Sequence, residues 1–169
     1  HRPGSRRCVR GADEALGPDP IAVAALPGGH VVGVLRGRNA VVLIDRDGHE
    51  LARTEMPVAP SGVAVTRSGE VLVSSELSSD IARYTVRDDR LDRAGSLVLS
   101  GVRAIRAITT GPEDVLYLVE EHDHRLLTIS LSREGNGAIL DAKPIGLGPR
   151  AVLRTARHLV VTCTLSHTV

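Results

Sequence analysis

What most limits the folds open to this chain is internal repetition: one pattern of short apolar stretches returns four times. Each copy runs as an apolar stretch, a turn, a second apolar stretch, a polar loop and a third apolar stretch. The copies are IAVAALPGGHVVGVLRGRNAVVLIDRDG, GVAVTRSGEVLVSSELSSDIARYTVRDD, AIRAITTGPEDVLYLVEEHDHRLLTISLSREG and RAVLRTARHLVVTCTLSHTV, where the sequence stops. The second stretch opens at Val31, Val71, Val115 and Leu159, at offsets of 40, 44 and 44. The third opens at Val41, Ile81, Leu126 and Val169, at offsets of 40, 45 and 43. Two independent anchors agree to within a residue. A period of about 40–45 residues is that of the four-stranded propeller blade.

The stretches read as strands, because they are short, rich in β-branched residues and bounded by Gly, Pro, Asp and Ser. In the second copy they fall at 63–66, 71–75 and 81–86, with a weaker fourth near 94–99. The a–b turns (Pro27-Gly28-Gly29, Arg67-Ser68-Gly69, Gly111-Pro112-Glu113) carry residues that tolerate positive φ or bond their own backbone. The c–d turns at 45–48, 87–90 and 132–137 do the same. Strands a and b are apolar on both faces, as expected of a sheet sandwiched between two neighbours. No stretch longer than ten residues keeps a clean helical period. The expectation is an all-β propeller segment of about 3.5 antiparallel blades, at 20–59, 60–101, 102–148 and 149–169, the last incomplete. Residues 1–19 read as the end of a preceding blade, since Leu16-Gly17-Pro18 echoes Leu147-Gly148-Pro149, or as an N-terminal lead.

Composition then excludes partners. Of aromatic residues only Tyr84 and Tyr117 occur, so neither base stacking on single-stranded nucleic acid nor an aromatic sugar platform is available. Twenty acidic against 21 basic side chains give no basic face, so no nucleic-acid partner is expected. Lys143 is the only lysine, which reads as codon bias. No apolar run approaches the roughly 20 residues of a membrane span. There is no initiator Met and no signal-peptide core among the first 20 residues, so the N-terminus looks trimmed and these residues leave localisation unknown; a periplasmic or extracellular setting is favoured only as part of the propeller reading below.

VVGVLRGRNAVVLIDRDG, VLVSSELSSDIARYTV and VVTCTLSHTV resemble the YVTN-type β-propeller repeats of bacterial surface proteins. They are also similar to NHL and lactonase-like propellers. The resemblance runs from Pro20 to Val169 and departs at the name-giving residues: the Tyr has a counterpart only at Tyr117, and the Asn is missing or displaced. It implies a ring of six to eight blades, about 250–340 residues at this period. The chain is therefore expected to be a fragment, or a half-ring that closes with a second copy at its open edges.

In such propellers the b–c loops and the d–a connections share the face around the channel mouth. Here the b–c loops are 36–39, 76–80, 120–124 and 164–167, so Glu76 and Glu120 fall on that face. The connections carry Pro20, Pro60-Ser61, Arg103 and Pro149-Arg150. The EEHDH string is the richest cluster. In an extended segment His122 and His124 share a side with carboxylates adjacent, a set suited to a divalent metal, and His167 stands at the repeat position of His124. No other cofactor is expected. A solvated polar loop is the alternative reading. Arg106 is assigned to strand a at the position of Val23, Val63 and Ala151, where it either grips an anionic ligand or, the preferred reading, pairs with a carboxylate of the next blade. Cys8 and Cys163 read as unpaired small hydrophobes, and a disulfide stays open. No C-x-x-C-H, G-x-S-x-G or glycine-rich phosphate loop occurs.

The leading expectation is a non-catalytic scaffold that presents its loop face to a protein or small-molecule ligand. The alternative is part of a lactonase- or lyase-like propeller enzyme, or the propeller half of a c-type cytochrome or peroxidase fusion.

Overall fold

A computed structural model describes residues 19–56, 58–132 and 137–169. The first sheet holds β1 (Pro20–Ala25), β2 (Val31–Leu35), β3 (Ala40–Ile44) and β4 (Glu50–Glu55). The second holds β5 (Pro60–Val65), β6 (Val71–Ser75), β7 (Asp80–Arg87) and β8 (Arg90–Val98). The third holds β9 (Ile105–Thr110), β10 (Val115–Glu120), β11 (Arg125–Ser130) and β12 (Ile139–Pro144). A pair, β13 (Pro149–Arg154) and β14 (Leu159–Cys163), begins a fourth. Each sheet is an antiparallel meander in chain order, and first strands of successive sheets lie against one another. These are β-propeller blades: three complete, and the first two strands of a fourth. Among the described residues the one short helix is a 3-10 turn, Arg36–Arg38, and no helix is long and apolar enough to cross a membrane.

The doubly apolar strands follow from this stacking. On β6, Val71 and Val73 enter a cluster with Val32, Val34 and Leu43 of blade 1. Leu72, pointing the other way, joins Ile105, Leu116 and Leu118 of blade 3. The pleat thus sends alternate residues of one strand into two different cores. On β8 the pairing register slips at Ala94, where Arg83 faces Gly95 but Tyr84 faces Arg93. The slip lets Leu91 pack toward blade 1 and Leu97 toward blade 3, although an even spacing would put both on one face. Aliphatic layers suffice, each buried Val, Leu or Ile contributing roughly 1.5–3 kcal/mol. Tyr84 is wholly buried in the blade 1–2 layer; burial pushes its phenol up, and its hydroxyl finds no partner among the described residues.

The strand period was legible almost to the residue at β6, while β5 starts at Pro60, ahead of the expected 63. The reason is a one-residue bulge near the start of every first strand, at Ile21, Ser61, Arg106 and Arg150. This corrects the placement of Arg106. It is the counterpart of Ile21, Ser61 and Arg150, and not of Val23, Val63 and Ala151, because each of these four is the bulged residue of its first strand. The Leu16-Gly17-Pro18 echo and Cys8 lie outside the described residues. Pro20 is the counterpart of Pro149, each opening a first strand opposite the last residue of the second. Cys163 is buried at the end of β14.

Candidate functional site

Each blade begins with a residue in the left-handed region: Asp19 (φ 62°), Ala59 (52°), Ala104 (50°) and Gly148 (66°). The two alanines hold a conformation costly for a β-carbon, so the surrounding contacts must enforce it. Those contacts are backbone hydrogen bonds. The carbonyls of these four residues accept from the N–H of Arg36, Glu76, Glu121 and Thr164, at 3.0, 2.9, 3.1 and 2.9 Å. The first residue after each second strand is thereby tied to the start of the first strand. That is why Arg36, Glu76 and Glu121 stand at one repeat position beside the bulge residues.

A chain of alternating charge joins these positions across three blades. Arg36 pairs with Asp19 at 2.7 Å and Glu76 at 3.0 Å. The Asp19 carboxylate, as hydrogen-bond acceptor and as charge, holds the Arg36 guanidinium above the ordinary arginine value. Arg106 reaches Glu76 of the preceding blade at 2.5 Å and, at its other end, Glu121. Its side chain is 18% exposed. Arg106 is therefore an inter-blade ion pair. Arg150, in the same bulge of blade 4, is exposed and has no acidic partner among the described residues.

The EEHDH string divides. Glu120 ends β10 and is fully buried. It accepts from Arg125 Nε at 2.8 Å and from the Arg103 backbone N–H at 3.0 Å. Arg125 also meets Asp123 at 2.9 Å. Glu121 belongs to the charge chain. Residues 121–124 form a tight turn, correcting the extended segment expected there. His122 is exposed beside Asp123, at 4.0 Å. His124 is left-handed (φ 52°), and its Nδ1 accepts from the Gly148 N–H at 3.5 Å. Asn39, in the same place and conformation in blade 1, accepts from the Ala59 N–H at 2.9 Å through Oδ1. One latch between blades is thus made by an amide in one case and an imidazole in the other. His167 repeats the left-handed conformation and is exposed. The single group of three or more potential metal-ligand atoms found among the described residues is Asp45, Asp47 and His49, in a c–d turn on the opposite face. There Asp45 already accepts from the Asp47 and His49 backbone N–H groups, and the His49 bond above all holds its carboxyl low.

Three of the expected site residues do share a groove. Glu76, Arg103 and His122 line a depression of about 600 Å3 between blades 2 and 3 on the loop face. Its other walls come from the b–c loop of blade 2 and the d–a connection, with Leu77 and Val98 left 74% and 63% exposed. Sequence reasoning passed over Leu77, yet its signal is visible. Leu77-Ser78 recurs as Leu165-Ser166 at the same place in blade 4, an apolar residue in a loop otherwise polar. Arg150 and His167 are not among the residues lining this groove.

No family model matches the sequence, and no curated protein matches it. Solved structures do. A candidate 6-phosphogluconolactonase from Bacteroides uniformis superposes with a TM-score of 0.72 at 16% identity, over 88% of this chain and 48% of that one. A protein of unknown function from Bacteroides caccae gives 0.64 at 18%, over 87% and 54%. A catalytically inactive virginiamycin B lyase from Staphylococcus aureus, solved with quinupristin, gives 0.62 at 19%, over 79% and 44%. At such identities the likeness shows the propeller fold alone. The chain spans about half the length of the structures it matches.

Proposed function

We propose that this chain is part of a ligand- or protein-binding scaffold propeller of the YVTN-like surface-repeat type, and that its loop face is the binding face. The observation that carries the reading is how the loop-face side chains are occupied. The carboxylates Glu76, Glu120 and Glu121 are each held by an arginine; Glu76 joins blade 2 to blades 1 and 3, while Glu120 and Glu121 are engaged within blade 3. Around the groove, by contrast, Leu77, Val98 and Arg103 are exposed. Apolar side chains left open beside a cation with no acidic partner among the described residues suit recognition. The extracytoplasmic setting, and a full ring of six to eight blades completed by further sequence or a second copy, belong to the same proposal.

A catalytic reading draws on the lyase and the candidate lactonase among the structural neighbours. It would build a metal site from His122, His124 and His167, and it finds less support. His124 Nδ1 faces the Gly148 N–H, and His122 and His167 are exposed on separate blades. Manganese or zinc titration decides it: a rise in Tm that disappears in His122→Ala would favour the metal site.

A thermal-shift screen of small metabolites tests the binding reading. Compounds that raise Tm should lose their effect in Leu77→Asp and keep it in Arg67→Ala, on the opposite face. Hits that survive Leu77→Asp and vanish in Arg67→Ala would count against the loop face.

A further inference from the structure

Resting on the loop-face reading, the chemistry of the groove narrows its ligand. We propose that the groove between blades 2 and 3 binds a small amphipathic anion, its carboxylate or phosphate oxyanion gripped by Arg103 and its apolar part set against Leu77 and Val98. The first support is the charge balance inside the groove. Glu76, the one acidic side chain in its lining, is held by both Arg36 and Arg106. That leaves the Arg103 guanidinium, which makes no ion pair or side-chain hydrogen bond with any described residue. A cation beside a neutralised carboxylate selects an anion, and the planar guanidinium fork matches an oxyanion better than any other head group.

The second support is that Arg103 is anchored from behind. Its backbone N–H donates to Glu120 Oε1 at 3.0 Å, and that carboxylate is fully buried and gripped in turn by Arg125. The flanking residues are fixed too. Gly101 and Ala104 both hold positive φ, 74° and 50°, and the Ala104 carbonyl accepts from the Glu121 N–H. The free cation thus stands on a rigid backbone, which lowers the entropy lost on binding. Third, Leu77 and Val98 are among the most exposed large apolar residues of the chain and border this one groove. Covering them removes apolar surface from water, which a bare inorganic anion could not do.

The experiment titrates the protein with four probes built on a six-carbon chain: hexanoate, hexyl phosphate, hexanol and hexylamine. Affinity is read by calorimetry and the binding place by backbone amide NMR shifts. The two anions should move amides at 76–79 and 98–104 and bind roughly tenfold or more tighter than hexanol, the size of one charge-assisted hydrogen-bond pair. Hexylamine should bind weakest. Arg103→Gln should abolish the preference for anions, and Arg103→Lys should keep part of it. Whichever of hexanoate and hexyl phosphate binds tighter identifies the head group, and either order supports the shared oxyanion chemistry. Hexanol binding as well as the anions at the same amides, or an anion preference unchanged in Arg103→Gln, would overturn the charge assignment while leaving the loop-face reading in place. Shifts confined to 66–69 and 110–114 would count against both, and no shift with any probe would overturn the proposal.

Discussion

The junction between blades 2 and 3 and the junction between blades 3 and 4 use the same backbone template and fill it differently. In both, a left-handed residue precedes the first strand, a bulge follows, and an arginine occupies the bulge. Arg106 is clasped between Glu76 and Glu121, whereas Arg150 is exposed without an acidic partner among the described residues. The difference lies in what the neighbouring blade offers. Glu121 stands at the repeat position of Glu76 and would serve Arg150 by analogy, but it is taken by Arg106 of its own blade. A repeat position fixes where a side chain stands. Whether that side chain fastens the ring or remains available depends on the charges around it.

Substitutions at four positions probe that contrast, in falling order of effect. Glu120→Ala should cost roughly 3 kcal/mol in urea unfolding, because Arg125 and the Arg103 N–H lose a buried carboxylate at the blade 2–3 junction. A loss well under 1 kcal/mol would mean that Asp123 alone satisfies Arg125. Arg106→Val should cost about 1–2 kcal/mol, since Glu121 loses its partner and Glu76 keeps only Arg36. His124→Ala should cost about 0.5–1 kcal/mol and speed exchange of the Gly148 amide. His124→Asn, which installs the blade 1 residue, should restore both; failure to do so would break the equivalence of the two latches. Arg150→Val, the same change in the same bulge, should stay within about 0.5 kcal/mol of wild type. Equal losses at 106 and 150 would erase the contrast.

Much of the fold could be read from the sequence because it is periodic. The second strands open where the anchors put them, at Val31, Val71, Val115 and Leu159. The two-faced apolar strands correctly implied stacking on both sides. What escaped was local or non-local in ways a period does not carry. The a–b loops hold five residues in blades 1 and 2 but four in blades 3 and 4, so counting back from the second strand does not land Arg106 on its true counterparts. Ala59 and Ala104 adopt left-handed backbone with no Gly or Asn to announce it. Glu76 and Arg106 meet across a blade boundary, which no spacing rule predicts. The expected ion pair of Arg106 was with a carboxylate of the next blade; the partners are instead Glu76 of the preceding blade and Glu121 of its own. The EEHDH string was read as one loop, yet its first residue is the buried end of a strand. A clue was present in Arg125, which opens the next strand opposite Glu120.

Loop-face charges fasten blades at one junction and are free at the next. Two double-mutant cycles on unfolding free energy measure this, one pairing Glu76→Gln with Arg106→Gln, the other Glu121→Gln with Arg150→Gln. The predicted coupling is about 1–2 kcal/mol for the first pair and under about 0.3 kcal/mol for the second. Comparable coupling in both, or none between Glu76 and Arg106, would contradict it.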